Sequence, residues 1–237
     1  MSERFFSEQP IAGDVAVLAG NEAHHLLHVM RAKAGARVVL FDGSGAEFDA
    51  EVRRGGRREV ELTVLTRRAV DRELPAPLTI AAALPKGDRQ RWMVEKLTEL
   101  GATRFIPLLT ERSVAKPTSG GLEKLRRAVV EASKQCRRNR LMEIAEPVAW
   151  RGFASGGAPT GAKWIAHPEG PPLPAGNGGP AGMAIGIGPE GGFSEEEVAL
   201  AAASGWGTLG LGPRVLRTET AATAAAAIAA ARIEGPR

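Results

Sequence analysis

Apolar and polar positions alternate, imperfectly, in three runs near the start of the chain: Arg37 to Phe41, Glu47 to Arg53 and Arg58 to Thr66. A period near two predicts strands with one covered face. Asp42-Gly43-Ser44-Gly45 is a turn signal between the first two, and Gly55-Gly56 is a two-residue hairpin signal between the second and third. The period lengthens over residues 21–30, where Asn21 is placed to cap a helix reaching Met30, with Leu26, Leu27 and Met30 on one side. Residues 1–72 thus read as a small β-rich domain around one helix.

After the linker Pro75-Ala76-Pro77 the pattern changes. Leu78 to Leu84 is a continuous apolar run, as a strand covered on both faces requires. Pro85-Lys86-Gly87 ends it, and Asp88 is placed to cap a helix carrying Met93, Leu97 and Leu100 on one face and stopping at Gly101. Arg104 to Leu109 predicts the next strand, and Leu122 to Arg137 a helix with Leu122, Leu125, Val129 and Cys136 inward. Further strands are expected at Glu143 to Val148, Lys163 to Ala166, Met183 to Ile187 and Thr208 to Leu211, with helices at Glu195 to Ala203 and Glu219 to Ile233. Gly152 to Gly161 and Gly170 to Gly182 read as loops. Six strands with interleaved helices over residues 73–237 predict an α/β domain with a mostly parallel sheet.

Composition narrows the class. With 237 residues and 43% hydrophobic positions, the chain is neither a disordered tail nor a collagen-like repeat nor a small disulfide scaffold. The single cysteine, Cys136, cannot bridge within the chain, which fits a reducing compartment. No basic stretch followed by an apolar run opens the sequence, and the uncharged run Thr220 to Ala231 is shorter than the ~20 residues a bilayer needs. A cytoplasmic protein without a membrane partner is the expectation.

The net charge of +4 is unevenly placed. Residues 73–150 hold 14 basic against 9 acidic side chains, densest from Lys124 to Arg140, while residues 1–72 balance at 11 and 11. Arg53, Arg54, Arg57 and Arg58 surround the Gly55-Gly56 turn. Both clusters are readable as grips on a polyanion or as solvated faces. His24, His25 and His28 lack the cysteines or carboxylates that would complete a metal set, so no metal is expected.

Two strands end in glycine-rich turns, where an α/β sheet places its chemistry. In Ala184 to Ser194, Gly186, Gly188 and Gly191 match a dinucleotide fingerprint, but Pro189 and Glu190 interrupt the turn and no acid for a ribose follows about 20 residues on. Bare backbone beside a carboxylate better suits a neutral or cationic ligand such as a nucleoside. Ser194 and Glu197 form a capping box for the next helix. In Leu209 to Ala221, a polar cluster of Arg214, Arg217, Thr218, Glu219 and Thr220 precedes an alanine-rich helix.

The pair Gly188-Pro189-Glu190-Gly191-Gly192-Phe193-Ser194 and Leu211-Gly212-Pro213-Arg214-Val215-Leu216-Arg217-Thr218-Glu219-Thr220-Ala221 closely resembles the RsmE family of ribosomal RNA methyltransferases, in the SPOUT superfamily. The resemblance extends over nearly the whole chain, through Arg4-Phe5-Phe6, His24-His25, Val29-Met30-Arg31, Asp42-Gly43, Pro85 to Arg89, Lys96 to Gly101 and Ala132 to Arg138, with small departures at Ser133-Lys134-Gln135, Pro213 and Val215. It implies a PUA-like β-barrel RNA-binding domain over residues 1–72 and a SPOUT α/β domain with a trefoil knot over residues 73–237, acting as a homodimer.

It further implies S-adenosylmethionine as methyl donor and N3 of a uridine in small-subunit ribosomal RNA, free or assembled, as acceptor. The donor loops fall on Gly188, Pro189, Glu190, Gly191 and Gly192 and on Leu211, Gly212, Leu216, Arg217, Thr218 and Ala221, with His167 completing the adenosine pocket. RNA contacts fall on Arg31, Arg54, Arg57, Lys86, Arg89, Arg137 and Arg138. Uracil N3 attacks only once deprotonated, so Glu219 is the candidate base and Arg217 or Arg214 the candidate stabiliser of the anion. Glu219 reads equally as a helix-capping carboxylate. A non-catalytic ribosome-assembly factor of the same fold and a nicotinamide-dependent oxidoreductase stand as the alternatives.

Overall fold

The computed structural model describes residues 3–174 and 181–235 and divides into two compact units, residues 1–73 with 133–141 and residues 74–132 with 142–237. The loop expected from Gly170 to Gly182 lies partly outside the described residues.

In the first unit, β1 (Arg4–Phe6), β2 (Val15–Ala19), β3 (Arg37–Phe41), β4 (Ala46–Gly55) and β5 (Glu59–Ala69) form a small curled sheet in the order β1-β3-β4-β5-β2. β1 runs parallel to β3, and the other pairs are antiparallel. Register shifts at Asp49/Ala50 and Val52/Arg54 bend the long β4–β5 ribbon. Phe5, Leu18, Leu26, Leu40, Phe48 and Leu62 fill the core. β1 has only 3 residues, and β2 carries apolar Val15 and Val17 on its exposed face, so neither shows polar alternation in the sequence.

The helix expected from Asn21 to Met30 is instead a short α1 (Gly20–His24) continued by a wider π turn over His25–Val29. Ala19, in extended conformation, precedes it without a side-chain cap, so Asn21 is inside the helix. Leu26 is buried as expected, but Met30 is exposed, because the wider turn rotates it away from the core. The segment 133–141 is fastened within this unit. Lys134 Nζ donates to Glu22 at 2.7 Å, Asn139 Nδ2 donates to the Val70 carbonyl at 2.9 Å, and Arg138 pairs with Glu73.

The second unit carries β6 (Leu78–Ala83), α2 (Arg89–Glu99), β7 (Arg104–Leu109), α3 (Ser119–Cys136, its last turn in the first unit), β8 (Glu143–Ile144), β9 (Val148–Ala149), α4 (Trp150–Gly152), β10 (Ala162–Ala166), β11 (Met183–Ile187), α5 (Glu195–Ala203), β12 (Gly207–Leu209) and α6 (Thr218–Glu234). All its strand pairs are parallel, in the order β12-β10-β11-β6-β7-β8, with β9 also on β7. Every residue of β6 and β11 is buried, consistent with their central place.

Local chemistry explains the departures from the expected elements. The single strand expected over 143–148 is broken into β8 and β9 around Pro147, which offers no ladder N–H. The loop expected from Gly152 begins as helix, because Trp150, Phe153 and Ala154 turn inward to pack with Phe193 and Trp206. Asp88 is itself helical (φ −66°, ψ −13°) and caps nothing; α2 is entered through the turn at Gly87, φ 66°. The Ser194–Glu197 capping box on α5 is present. α6 packs on α2, β6 and β11 through Ala222, Ala225, Ala226 and Ala229, whose small side chains let the helix approach the sheet closely.

Candidate functional site

Three strands of the second unit, β10, β11 and β12, end side by side, and the loops leaving them enclose a cavity of about 280 Å³. The β10 exit supplies Ala166, His167 and Pro168; the β11 exit supplies Ile187 and Gly188 to Gly192. The β12 exit and the first turn of α6 supply the remainder, from Leu209 to Ala221.

Each loop is held by named contacts. After β11, Gly192 N–H donates to the Pro189 carbonyl at 2.8 Å, and Gly192 adopts φ 69°, a conformation that favours glycine. Phe193 anchors the end of this turn against the Trp150 ring at 4.6 Å, and the capping box fixes the helix behind it. The Thr218 hydroxyl donates to the Gly188 carbonyl at 3.4 Å, tying α6 to the turn. After β10, His167 N–H donates to the Leu209 carbonyl at 3.0 Å and Gly210 N–H to the Pro171 carbonyl at 2.8 Å. A Cβ on Gly170 would lie 2.7 Å from Gly210 N, so these two backbones touch where neither tolerates a side chain.

Of the residues expected to hold the donor, Gly188, Pro189, Glu190, Gly191, Gly192, Leu211, Gly212, Leu216, Thr218, Ala221 and His167 all line the cavity. Arg217 does not: it is the exposed residue preceding α6, and it contributes its carbonyl to Ala221 N–H at 2.8 Å. Arg214 lines the cavity instead, with Ile187, Leu209 and Val215. Ile187 and Leu209 were legible only as strand residues, although each directly precedes a glycine exit.

Glu219 lies outside the lining and is buried, 6% exposed. Its Oε1 accepts from Arg89 Nη1 at 3.5 Å, while Oε2 is buried without a hydrogen-bond partner. Glu219 stands in the first turn of α6, where a carboxylate faces the positive end of the helix dipole, and the N-cap residue Arg217 makes no side-chain cap hydrogen bond.

The expected RNA residues fall into two groups. Arg31, Arg54, Arg57, Lys86 and Arg137 are exposed, and Arg89 is partly so, shared with Glu219. Arg138 is 3% exposed and ion-paired with Glu73, which makes it part of the packing of the first unit. A second cavity of about 400 Å³, in the first unit, is lined by His24, Leu27, His28, Arg57, Arg58 and Glu59 among others. Among the described residues no cluster of three or more His, Cys, Asp or Glu is placed to hold a metal ion, and no helix is long and apolar enough to cross a membrane.

The family model for an RNA methyltransferase domain matches residues 72–230, and that for an RNA methyltransferase PUA domain matches residues 18–65. The Synechocystis protein named ribosomal RNA small subunit methyltransferase E is 35% identical over 93% of this chain and 74% of its own length. Its Bacillus subtilis namesake is 32% identical over 86% of this chain and 85% of its own. Among solved structures, the Neisseria gonorrhoeae ribosomal RNA small subunit methyltransferase E bound to S-adenosylmethionine superposes with a TM-score of 0.86 at 29% identity, covering 96% of both chains. A Legionella pneumophila protein solved with the same cofactor gives 0.88 at 32% identity, again over 96% of both.

Proposed function

The chain belongs to the ribosomal RNA small subunit methyltransferase E family and is an S-adenosylmethionine-dependent ribosomal RNA methyltransferase, and from that premise we propose that the atom it methylates is N3 of an unpaired uridine in small-subunit RNA. The observation that supports this best is the cavity where three strand-end loops meet, with a buried, half-partnered carboxylate on the helix that closes it.

The cavity suits the donor by its chemistry. Ile187, Leu209, Leu211 and Leu216 offer apolar surface for a purine and ribose, and the glycine turns offer backbone groups at close approach. Glu190 brings a carboxylate to the lining, which suits the ammonium and sulfonium charges of the donor. When bound, S-adenosylmethionine supplies a methyl group already activated on a sulfonium. The work left to the chain is to align the acceptor, exclude water and remove the N3 proton.

Glu219 takes that proton on Oε2, the oxygen with no partner, while Arg89 holds Oε1 and orients the carboxylate. Arg214 stabilises the uracil anion from the cavity wall, replacing Arg217 in that role. Because N3 lies on the pairing edge, the target uridine must be unpaired or flipped out. The hairpin arginines 54 and 57, with Arg31 and Arg137, grip phosphates without reading sequence. Residues 1–72 serve as the RNA-binding domain, residues 73–237 as the methyltransferase domain, and the ribosomal substrate puts the protein in the cytoplasm.

A trefoil knot and a homodimer belong to the same reading. The chain leaves β12 at the sheet edge yet lays α6 against β6 and β11 at its centre, a path that suits threading through the neighbouring loops. Val215, 93% exposed, and Ile228, 38% exposed, give the β12 exit and α6 an apolar outer surface for a second copy.

The test is incubation of the purified protein with donor and small-subunit RNA, followed by mass spectrometry of the nucleosides. N3-methyluridine at one position is the expected product. Unmodified RNA, or a methyl group on another atom, overturns the reading.

A further inference from the structure

Resting on the donor-cavity reading, we propose that Arg112 is a positioning residue for methyl-donor binding, clamping the turn after β11 in its binding conformation from outside the cavity. No motif in the sequence marks it, and it is absent from the cavity lining. It sits in a compact turn after β7, where Thr110 N–H donates to the Ser113 hydroxyl at 2.9 Å and Ser113 N–H to the Thr110 carbonyl at 3.1 Å. From there, Arg112 Nη1 donates to the Gly191 carbonyl at 2.8 Å and reaches the Phe193 carbonyl at 3.5 Å. These two carbonyls bracket Gly192, the residue with φ 69°.

The same turn is tied down a second time. Glu111 N–H donates to Glu197 Oε1 at 2.9 Å, and Glu197 Oε2 accepts from Ser194 N–H at 3.0 Å. One short segment after β7 therefore holds both the donor turn and the cap of the helix behind it. β7 is not the neighbour of β11; β6 lies between them.

The physical need for a clamp comes from Gly191-Gly192. Two consecutive glycines leave a turn with many backbone conformers of similar energy. A guanidinium on the flanking carbonyls makes charge-assisted hydrogen bonds that a peptide flip would break. Without it, the binding conformer is only a fraction of the population, and apparent donor affinity falls by that fraction. Both contacts come from one nitrogen, Nη1, so a lysine keeps the charge and a donor but not the rigid planar group that holds that nitrogen in place, and it restores the clamp in part.

The experiment compares wild type, Arg112→Ala and Arg112→Lys by calorimetry with S-adenosylmethionine, by steady-state kinetics and by amide hydrogen exchange. In Arg112→Ala, Kd and KM for the donor should rise about tenfold, as expected if the competent conformer drops to about a tenth of the population. At saturating donor, kcat should stay within about twofold and KM for RNA should not move; Arg112→Lys should fall between. Exchange over residues 188–193 should quicken in the free Ala variant and return to the wild-type rate with saturating donor. Unchanged donor affinity in the Ala variant, or a loss confined to kcat, overturns the clamp. Failure of the wild type to bind donor overturns the cavity reading with it, so the two failures are told apart.

Discussion

Arg89 and Glu219 share a single contact of 3.5 Å, and it engages only one oxygen of a carboxylate that is otherwise buried. The second oxygen, Oε2, has no partner. A buried acceptor left open is costly in a purely structural role, since the unpaired group forfeits its hydration. Glu219→Gln removes the proton acceptor without changing shape. It should lower kcat by roughly 10²-fold or more, the usual worth of a positioned base. Donor affinity should hold, because Glu219 does not line the cavity; calorimetry beside single-turnover kinetics checks both.

The glycines of the donor turn are not equivalent. The left-handed backbone falls at Gly192, whereas a Cβ on Gly191 would meet only the Arg112 side chain, at 3.4 Å from its Cδ. Gly192→Ala should therefore weaken donor binding more than Gly191→Ala, with a backbone penalty of about 1–2 kcal/mol. Equal affinities of the two variants in calorimetry would contradict this.

Stability should depend on pH through Glu47. Burial acts to raise its pKa, but hydrogen bonds from Arg4 at 2.9 Å and Arg72 at 3.3 Å outweigh it, so the carboxyl ionises below the ordinary glutamate range. A depressed folded-state pKa gives stabilisation that is fully present above the unfolded value, about 4.3, and lost as pH falls through the lower folded value. Glu47→Gln should cost about 3 kcal/mol at neutral pH, by leaving Arg4 buried without its charge partner. It should also flatten the acid limb of the melting profile as pH falls below the ordinary glutamate value of about 4.3.

Arg137 and Arg138 are neighbours in sequence but should separate in experiment. Arg137→Ala, at an exposed site, should weaken single-stranded RNA binding and lower the salt slope by roughly 0.7. Arg138→Ala should leave the salt slope alone and lower the melting temperature, because it strips Glu73 of its buried partner.

The parallel sheet was legible because β6 and β11 are buried on both faces and read as uninterrupted apolar runs. Most of the cavity lining was legible for a different reason: glycines at strand exits mark backbone that must approach something closely. Arg217 is exposed before α6 and outside the cavity lining, since a sequence shows that a polar group stands before a helix but not which side of the turn it faces. Arg138 failed on burial, because its partner Glu73 lies 65 positions away and no local pattern announces such a pair. Arg112 could not be seen at all; its meaning comes from a carbonyl 79 positions distant. The broken helix after Gly20 lacked a signal as well, because a π turn and an α-helix present nearly the same apolar spacing over five residues.

The touching backbones of Gly170 and Gly210 carry a consequence for biosynthesis. They join the exit of β10 to the exit of β12, and the cavity beside them needs residues as late as Ala221. A chain still emerging from the ribosome can pair β6 with β7 and yet lack the cavity proposed for the donor, because its last wall is translated nearly at the end. Contacts this distant in sequence also form late and slowly in refolding. Donor binding thus selects finished chains from unfinished ones: added during refolding, it should leave the early formation of the sheet untouched and stabilise only the final, closed state.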